Sequence, residues 1–228
     1  MSKQESLDEL LKKLESDSMD TVDLLQQIGK KILTEYIIQV QDVIVEPIWI
    51  EAYYYNERKG FKDPFVHRDV RQKKMDMLYF HHKTDDQRNG VDICLSPEDN
   101  DYYLSFLLKY SLVDGVLRSQ SQLSPLIREK YTEDSPVLVP RTRPDGIIAC
   151  TKRIGLNIKP DDSLKTEKKK YKDLELAVVR DFDKVFESIS KLPSRESLTA
   201  NYLSGCSVEE WEKRSREILG YCMSKKNK

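Results

Sequence analysis

Glycine, cysteine and histidine are scarce in this chain of 228 residues, and each scarcity excludes a class of site. With only 8 glycines, the sequence contains no Walker A or GxGxxG loop, which excludes nucleoside-triphosphate chemistry of the glycine-rich type. The 4 cysteines are widely separated and form no CxxC pair, so their spacing fits neither a zinc site nor a disulfide scaffold. They predict reduced, mostly packed cysteines in an intracellular, cytoplasmic protein.

The 3 histidines, His67, His81 and His82, lie close together in the sequence. In a regular strand, His81 and His82 point to opposite faces and cannot both enter one site. A metal site would need a partner among the aspartates of residues 85–92, and the spacing matches no helix-borne HExxH motif. We therefore predict that the protein uses no metal and no cofactor.

Long apolar runs and a surplus of basic residues are also missing. No apolar segment approaches the roughly 18 residues that a membrane-spanning helix needs, and the first ten residues do not resemble a signal peptide. We therefore expect no membrane partner. Lys and Arg total 38 against 39 acidic residues, a net charge of −1, whereas dedicated nucleic-acid binders usually carry a basic surplus. Binding to nucleic acid would depend on a local basic patch.

The hydrophobic periodicity predicts an α+β fold, with an antiparallel β core flanked by N- and C-terminal helices. Ser6 and Glu9 form a capping-box pattern before a first helix, and Gly29 lies inside a second helix, where it predicts close packing or a helix end. From residue 36 to residue 55 the period shifts toward two, and Pro47 predicts a bend or bulge. The other predicted strands are "MDMLYFHH", "GVDICL", "YYLSFLLKYSLV", "GIIAC" and "LELAVV".

The chain is long enough for one sizeable core with helical additions. We predict an N-terminal helical extension in residues 1–20, an α+β domain in residues 21–205, and an amphipathic helix with a basic tail in residues 206–228. The segment "KPDDSLKTEKKKYKD", residues 159–173, is predicted to be a charged loop. A helical face is predicted between Phe182 and Ile189.

The stretch "IWIEAYYYNE" places one carboxylate near the end of a predicted strand, followed by three tyrosines. Glu51 and Tyr53 are two residues apart and share a strand face, whereas Tyr54 points the other way and is predicted to pack in the core. Tyr55 could extend the platform of Tyr53. Aromatic faces stack nucleobases with about 1–3 kcal/mol per base, and a lone Glu can act as a general base. The stretch predicts a slot for a flat ring with a carboxylate beside it.

Several short motifs follow one another in the order found in a known family. "LLQQIGKKIL" matches "LLGKxL" of that family, "PIWIEAY" matches "ETEAY", and a loop with His67 follows. "LYFH", "VDI" and "LLKY" then match "LYVY", "MNI" and "LLRA", before a "RIG" turn at residues 153–155. Over residues 22–157, the chain thus resembles the alkyladenine (3-methyladenine) DNA glycosylases of the mammalian type.

The resemblance implies roles for individual residues. Glu51 would be the base that activates a water for attack on the sugar carbon of a flipped-out nucleotide. Tyr53 and His67 would contact the extruded base, and Lys109, in place of an arginine, would position the water or the DNA backbone. The other implied pocket residues are Tyr79, His81 and Asp92. The implied activity is a monofunctional N-glycosylase that removes alkylated purines from DNA in base excision repair.

One landmark of that family is replaced in this chain. Its members insert a tyrosine into the duplex just after "LYVY", and the matching stretch here is "KTDDQ". Thr84 cannot fill a vacated base position, and the two following aspartates repel phosphates. A second hypothesis is therefore a non-catalytic module of the same fold, which binds a free nucleobase or nucleoside. A third is an interaction protein without a pocket, in which Glu51 and Tyr53 lie in different environments.

Overall fold

The computed structural model describes residues 5–16, 20–81, 90–133, 136–141, 146–187, 195–196, 199–200, 202–203 and 206–224. The helices are α1 Leu7–Glu15, α2 Thr21–Glu35, α3 Gln120–Arg128, α4 Lys165–Lys172, α5 Phe182–Glu187 and α6 Val208–Leu219, with a 3-10 turn at Val70–Lys73. The strands are β1 Tyr36–Val40, β2 Val43–Asn56, β3 Phe61–Lys62, β4 Met77–Phe80, β5 Val91–Cys94, β6 Tyr102–Val113, β7 Val116–Ser119, β8 Leu138–Pro140, β9 Ile148–Thr151 and β10 Ala177–Arg180. The predicted α+β class with an antiparallel sheet is confirmed.

Strand β2 is the centre of the sheet. It pairs with β6 along most of its 14 residues, and its other edge pairs in turn with β1, β10 and β3. Beyond β6, the strands β5 and β4 complete one side of the sheet, and β8 pairs with β1 on the other. Residues of β2 are buried on both faces of the sheet, so the packing on either side fixes the positions of its side chains.

Helices α1 and α2 pack on one face of the sheet and form its main core. The predicted capping box of Ser6 and Glu9 is present at the start of α1. Gly29 lies where α2 crosses the sheet, and a Cβ atom there would come within 2.6 Å of Val178 and 3.3 Å of Phe106. Gly29 therefore permits a close approach of helix to sheet. Of the two predicted alternatives, close packing and a helix end, the first is correct.

The predicted bulge at Pro47 is confirmed and involves both β2 and β6. The pairing register is irregular between Pro47 and Ile50, with Lys109 as the extra residue on β6. On β2, Val45 and Ile50 both face the main core although they are an odd number of residues apart. The two strands therefore exchange faces together at this point, and Glu51 is directed away from the main core.

One predicted loop is wrong, because residues 165–172 of the charged segment form helix α4. Lys and Glu have high helix propensity, although the run of charged residues predicted a loop. Tyr171 anchors the helix to the rest of the protein. The Tyr171 ring meets Phe61 edge-on at 5.1 Å, and its hydroxyl accepts the backbone N–H of Lys62. Sequence periodicity did not reveal this helix because it buries only that one side chain.

The connection between β4 and β5, the cysteines and the possibility of a membrane-spanning helix were also subjects of prediction. Strands β4 and β5 pair antiparallel, but the connection between them, with His82, Thr84 and the following aspartates, lies outside the described residues, as does Ile189. Within the described parts of the chain, all four cysteines are free. None of the helices described is long and apolar enough to cross a membrane.

Candidate functional site

A cavity of about 480 Å³ lies on the sheet face that Glu51 points toward. Five of the residues singled out from the sequence line it: Tyr53, His67, His81, Asp92 and Lys109. The sheet register explains this convergence. Tyr79 pairs with Asp92, Asp92 with Leu107, and Leu107 with Glu51, so one row of side chains crosses four strands on the same face.

Glu51 is fully buried and is not among the residues that line this cavity, but its two carboxylate oxygens contact residues that do. Oε1 accepts the backbone N–H of Ile154 at 2.8 Å, and Oε2 accepts the hydroxyl of Tyr53 at 3.1 Å. The Lys109 ammonium is 3.7 Å from Oε2, beyond a direct hydrogen bond but close enough for one water to contact both. The carboxylate thus lies behind the cavity lining, held by two hydrogen bonds and next to the Lys109 cation.

The hydrogen bond between Glu51 and Tyr53 places both side chains in one environment. The hypothesis of an interaction protein without a pocket required these two side chains to lie in different environments, so it loses its basis. Tyr54 is fully buried in the main core, where its hydroxyl accepts from Asn56, so the prediction that it packs is confirmed. Burial and the neighbouring Glu51 raise the pKa of Tyr53 well above its usual value, which keeps this hydroxyl a proton donor to Glu51.

The "RIG" turn reaches Glu51 because the side chain of Arg153, its first residue, is held by several buried acceptors. The buried Arg153 guanidinium donates to Asp63 Oδ2 at 2.6 Å, to the carbonyl of Ala52 and to the carbonyl of Tyr171. It also lies 4.7 Å from the ring centroid of Tyr53. Sequence reasoning recognised the turn by its motif but assigned no role to the arginine. Its partner Asp63 is 90 residues away, which no local pattern reveals.

His67 and His81 line the other side of the cavity, and Tyr79, a predicted pocket residue that does not line it, contacts both of their rings. The His67 and His81 centroids are 4.6 Å apart, and Tyr79 lies 5.9 Å from His67 and 5.5 Å from His81. The Tyr79 hydroxyl is 3.3 Å from His67 Nδ1. Burial, together with the nearby Asp69, raises the pKa of Tyr79 to about 12, so this hydroxyl remains protonated at neutral pH. The loop that carries His67 is thereby attached to strand β4.

Asp92 holds His81 in a fixed orientation. His81 Nε2 is 2.8 Å from Asp92 Oδ1, and Oδ2 accepts the hydroxyl of Ser105 at 2.8 Å. Burial alone would raise the pKa of Asp92, but the charge and hydrogen bond of His81 and the bond from Ser105 outweigh it and lower that pKa. On its other edge the imidazole lies against Gly90, where a Cβ would come within 2.5 Å of Nδ1. His81 is thereby held in place where it lines the cavity.

The cavity has ten further lining residues that the sequence did not single out, and two of them, Gln72 and Ile154, contact the polar residues of the site. Gln72 is buried and donates to Ser105 at 3.3 Å, and its place in the 3-10 turn follows from the capping pattern of Asp69 and Gln72, a signal present in the sequence. Ile154 contributes only its backbone N–H to Glu51, for which no side-chain signal exists. Both strengthen a polar site on an otherwise apolar floor that includes Leu107.

The arrangement combines flat rings, one cation and two buried carboxylates, which suits a planar heterocycle attached to a polar group. Within the part of the chain described, no three His, Cys, Asp or Glu side chains are close enough to hold a metal ion. Comparison with known proteins adds no identification. No family model matches the chain, and no curated protein is significantly similar to it in sequence.

Proposed function

We propose that this protein is a divergent DNA glycosylase of the alkyladenine type, which hydrolyses the N-glycosidic bond of modified, alkylated purines. The proposal includes the glycosylase-like fold for the α+β core and a role in base excision repair. It is carried by one observation: the Glu51 carboxylate lies against Tyr53, Lys109 and Ile154, three residues that line a cavity together with aromatic rings.

In this mechanism Glu51 and Lys109 act on the attacking water. The water bridges the Lys109 ammonium and Glu51 Oε2, and Glu51 takes its proton as the oxygen bonds to the sugar carbon. The bond between sugar and base breaks, and its electron pair leaves with the purine. Because the sugar carries positive charge in the transition state, the buried carboxylate also stabilises it electrostatically. Tyr53 and Ile154 hold that carboxylate in place.

The aromatic residues bind the extruded base. A purine in the cavity contacts the rings of Tyr53, His67 and His81, and stacking on such rings is worth roughly 1–3 kcal/mol. The buried Asp92 fixes His81, and Tyr79 supports both imidazoles. A base can reach this cavity only after it leaves the helical stack, because the reacting atoms are inaccessible inside a duplex.

The test is release of free base from methylated DNA, offered as duplex and as single strand. The wild type is expected to release methylated purine, and Glu51→Gln is expected to lower the rate by at least about 100-fold, since general-base catalysis contributes that much. Gln keeps an oxygen that accepts from Ile154, so the variant should fold. Glu46→Gln, on the same strand but before the bulge, is the matched control and should retain activity. Absence of release by the wild type from both substrates would refute the proposal.

A second candidate function follows from the burial of Glu51. Its exposed fraction is 0%, and two hydrogen bonds and an adjacent ammonium already satisfy it. Such a carboxylate suits a non-catalytic module that holds a free nucleobase or nucleoside in the same cavity. That function predicts binding of free 3-methyladenine with no release of base from DNA, and equal binding by Glu51→Gln.

A further inference from the structure

A second depression, of about 670 Å³, adjoins the candidate cavity and shares His67 with it. It begins where strand β2 continues past the cavity. Tyr55 lies two residues beyond Tyr53 on the same face, and its direct partner on β6 is Tyr103. Glu51, Tyr53 and Tyr55 therefore form a continuous track, about 13 Å long at the usual rise of a strand. We call the part lined by Tyr55, Arg68, Lys73 and Tyr103 the Tyr55 groove.

Cations lie over both tyrosine rings of the Tyr55 groove. The Arg68 guanidinium is 4.9 Å from the centroid of Tyr55, and the Lys73 ammonium is 4.9 Å from the centroid of Tyr103. Among the described residues, neither cation forms an ion pair with a carboxylate, although Lys73 donates to the carbonyl of Asn100 at 2.8 Å. Each tyrosine ring of the groove thus has a cation against one face.

The acidic residues on the rim of the Tyr55 groove are already paired. Asp101 forms an ion pair with Arg58, and Glu57 lies 3.0 Å from the Lys62 ammonium. The depression is lined by three cations, Arg58, Arg68 and Lys73, against these two carboxylates, which leaves a surplus of one positive charge in a chain whose net charge is −1. This is the local basic patch that a nucleic-acid partner requires.

The backbone of Arg68 is held in a conformation that is unfavourable for its side chain. Its φ of +54° lies in the left-handed region, which non-glycine residues rarely adopt. Strain of this kind persists where the surrounding structure imposes it, and it concentrates at binding sites. Here it directs the guanidinium over Tyr55, next to the shared residue His67.

We propose that the Tyr55 groove binds the nucleotide adjacent to the one whose base enters the cavity, within a single strand of DNA. The inference rests on the proposed function, and it names the form of the substrate. An unpaired base displaces these cations from the ring faces and stacks there whatever its sequence, while the displaced cations contact phosphates of the same strand. In a duplex the adjacent base stays paired and stacked, so Tyr55 and Tyr103 cannot reach its face.

The decisive variant is Arg68→Gly, measured by fluorescence anisotropy with a labelled single strand of about 16 nucleotides. Glycine tolerates the left-handed backbone, so the variant removes the cation without destabilising the loop. Gln41→Gly is the matched control, because Gln41 has nearly the same φ, +53°, in the turn at the far end of β2. We expect Arg68→Gly to weaken binding at least about fivefold and to lower the salt slope by about 0.7, the value for one lost phosphate contact on a single strand.

A second variant tests the rings. Tyr103→Leu keeps the apolar contact of this half-buried residue and removes the stacking face, and it should also weaken single-strand binding at least about fivefold. The wild type should bind the single strand more tightly than the matched duplex. Unchanged binding in both Arg68→Gly and Tyr103→Leu, or equal affinity for the duplex, would overturn the inference.

The binding measurements can fail or succeed separately from the measurement of base release. Binding by Glu51→Gln, which keeps the Tyr55 groove intact, should equal binding by the wild type. If base release from methylated DNA fails while single-strand binding depends on Arg68, the groove assignment holds and the glycosylase activity does not. If base release occurs and is unaffected by Arg68→Gly on every substrate, the groove assignment is wrong and the proposed function stands.

Discussion

At the scale of single residues, Arg153 joins the candidate site to the core. Its guanidinium donates to two backbone carbonyls and to the buried carboxylate of Asp63, and it faces the ring of Tyr53. A lysine could supply the charge but not the planar fork that reaches three acceptors. The position of the Ile154 N–H, and through it the orientation of Glu51, therefore depends on this one side chain.

Replacing Arg153 should expose that dependence. We expect Arg153→Met to lower the free energy of unfolding by about 3–5 kcal/mol, because Asp63 remains buried without a counter-charge. Urea denaturation measures the loss. The double variant Arg153→Met/Asp63→Asn should recover part of it, since no charge is then left buried. A single variant as stable as the wild type would contradict the role given to this pair.

Residues of this kind mark the limit of what the sequence predicted. Glu51 and Tyr53 were placed on one face by the two-residue period of a strand, and their hydrogen bond agrees with that geometry. The inward position of Lys109 depends on a bulge that the sequence suggested only through Pro47. Arg153 could not be assigned, because the burial of an arginine is decided by a carboxylate distant in sequence.

At the scale of elements, the alternation of apolar residues predicted the principal strands, and tertiary contacts decided the remainder. Helix α4 was missed because its stability comes from Tyr171 docking on Phe61 and Lys62, more than 100 residues earlier. The junction between β4 and β8 was also invisible in the sequence. There Asp76 accepts the backbone N–H of Leu138 at 2.7 Å, and its own backbone has a φ of +58°.

Asp76 should make this junction sensitive to pH. Burial raises its pKa from 3.8 to about 6, so the folded protein binds this proton more tightly than the unfolded chain. The charged form therefore costs stability, and that cost grows as the pH rises from about 3.8 to about 6. Asp76→Asn keeps the acceptor for Leu138 and removes the charge. It should be more stable than the wild type above pH 6, and the difference should shrink toward pH 4.

Urea denaturation at several pH values tests this prediction, with Asp114→Asn as the control. Asp114 has a similar φ, +52°, in the exposed turn between β6 and β7. It is not buried, so its substitution should have no comparable dependence on pH. A stability difference between Asp76→Asn and the wild type that stays constant across the pH range would show that the carboxyl is not desolvated.

At the scale of the whole molecule, the charge is nearly balanced, and long-range attraction to DNA is correspondingly weak. Attraction depends instead on the few cations around the Tyr55 groove. We expect single-strand binding to fall steeply as salt rises from about 50 to about 200 mM, whereas binding of free 3-methyladenine should change by less than about twofold. Anisotropy and equilibrium dialysis measure the two. Parallel loss of both would contradict the separation of the cavity from the charged Tyr55 groove.

The paired irregularity of β2 and β6 has a consequence for how this protein can diverge. Both strands exchange faces at the same point. A one-residue deletion in either strand alone would therefore point Glu51 or Lys109 toward the main core, under α1 and α2. Relatives that keep the site should therefore vary in length here only in concert. A lineage that gains or loses one residue between Pro47 and Glu51 should show a matching gain or loss between Leu107 and Ser111, because only the paired change keeps both side chains on the cavity face.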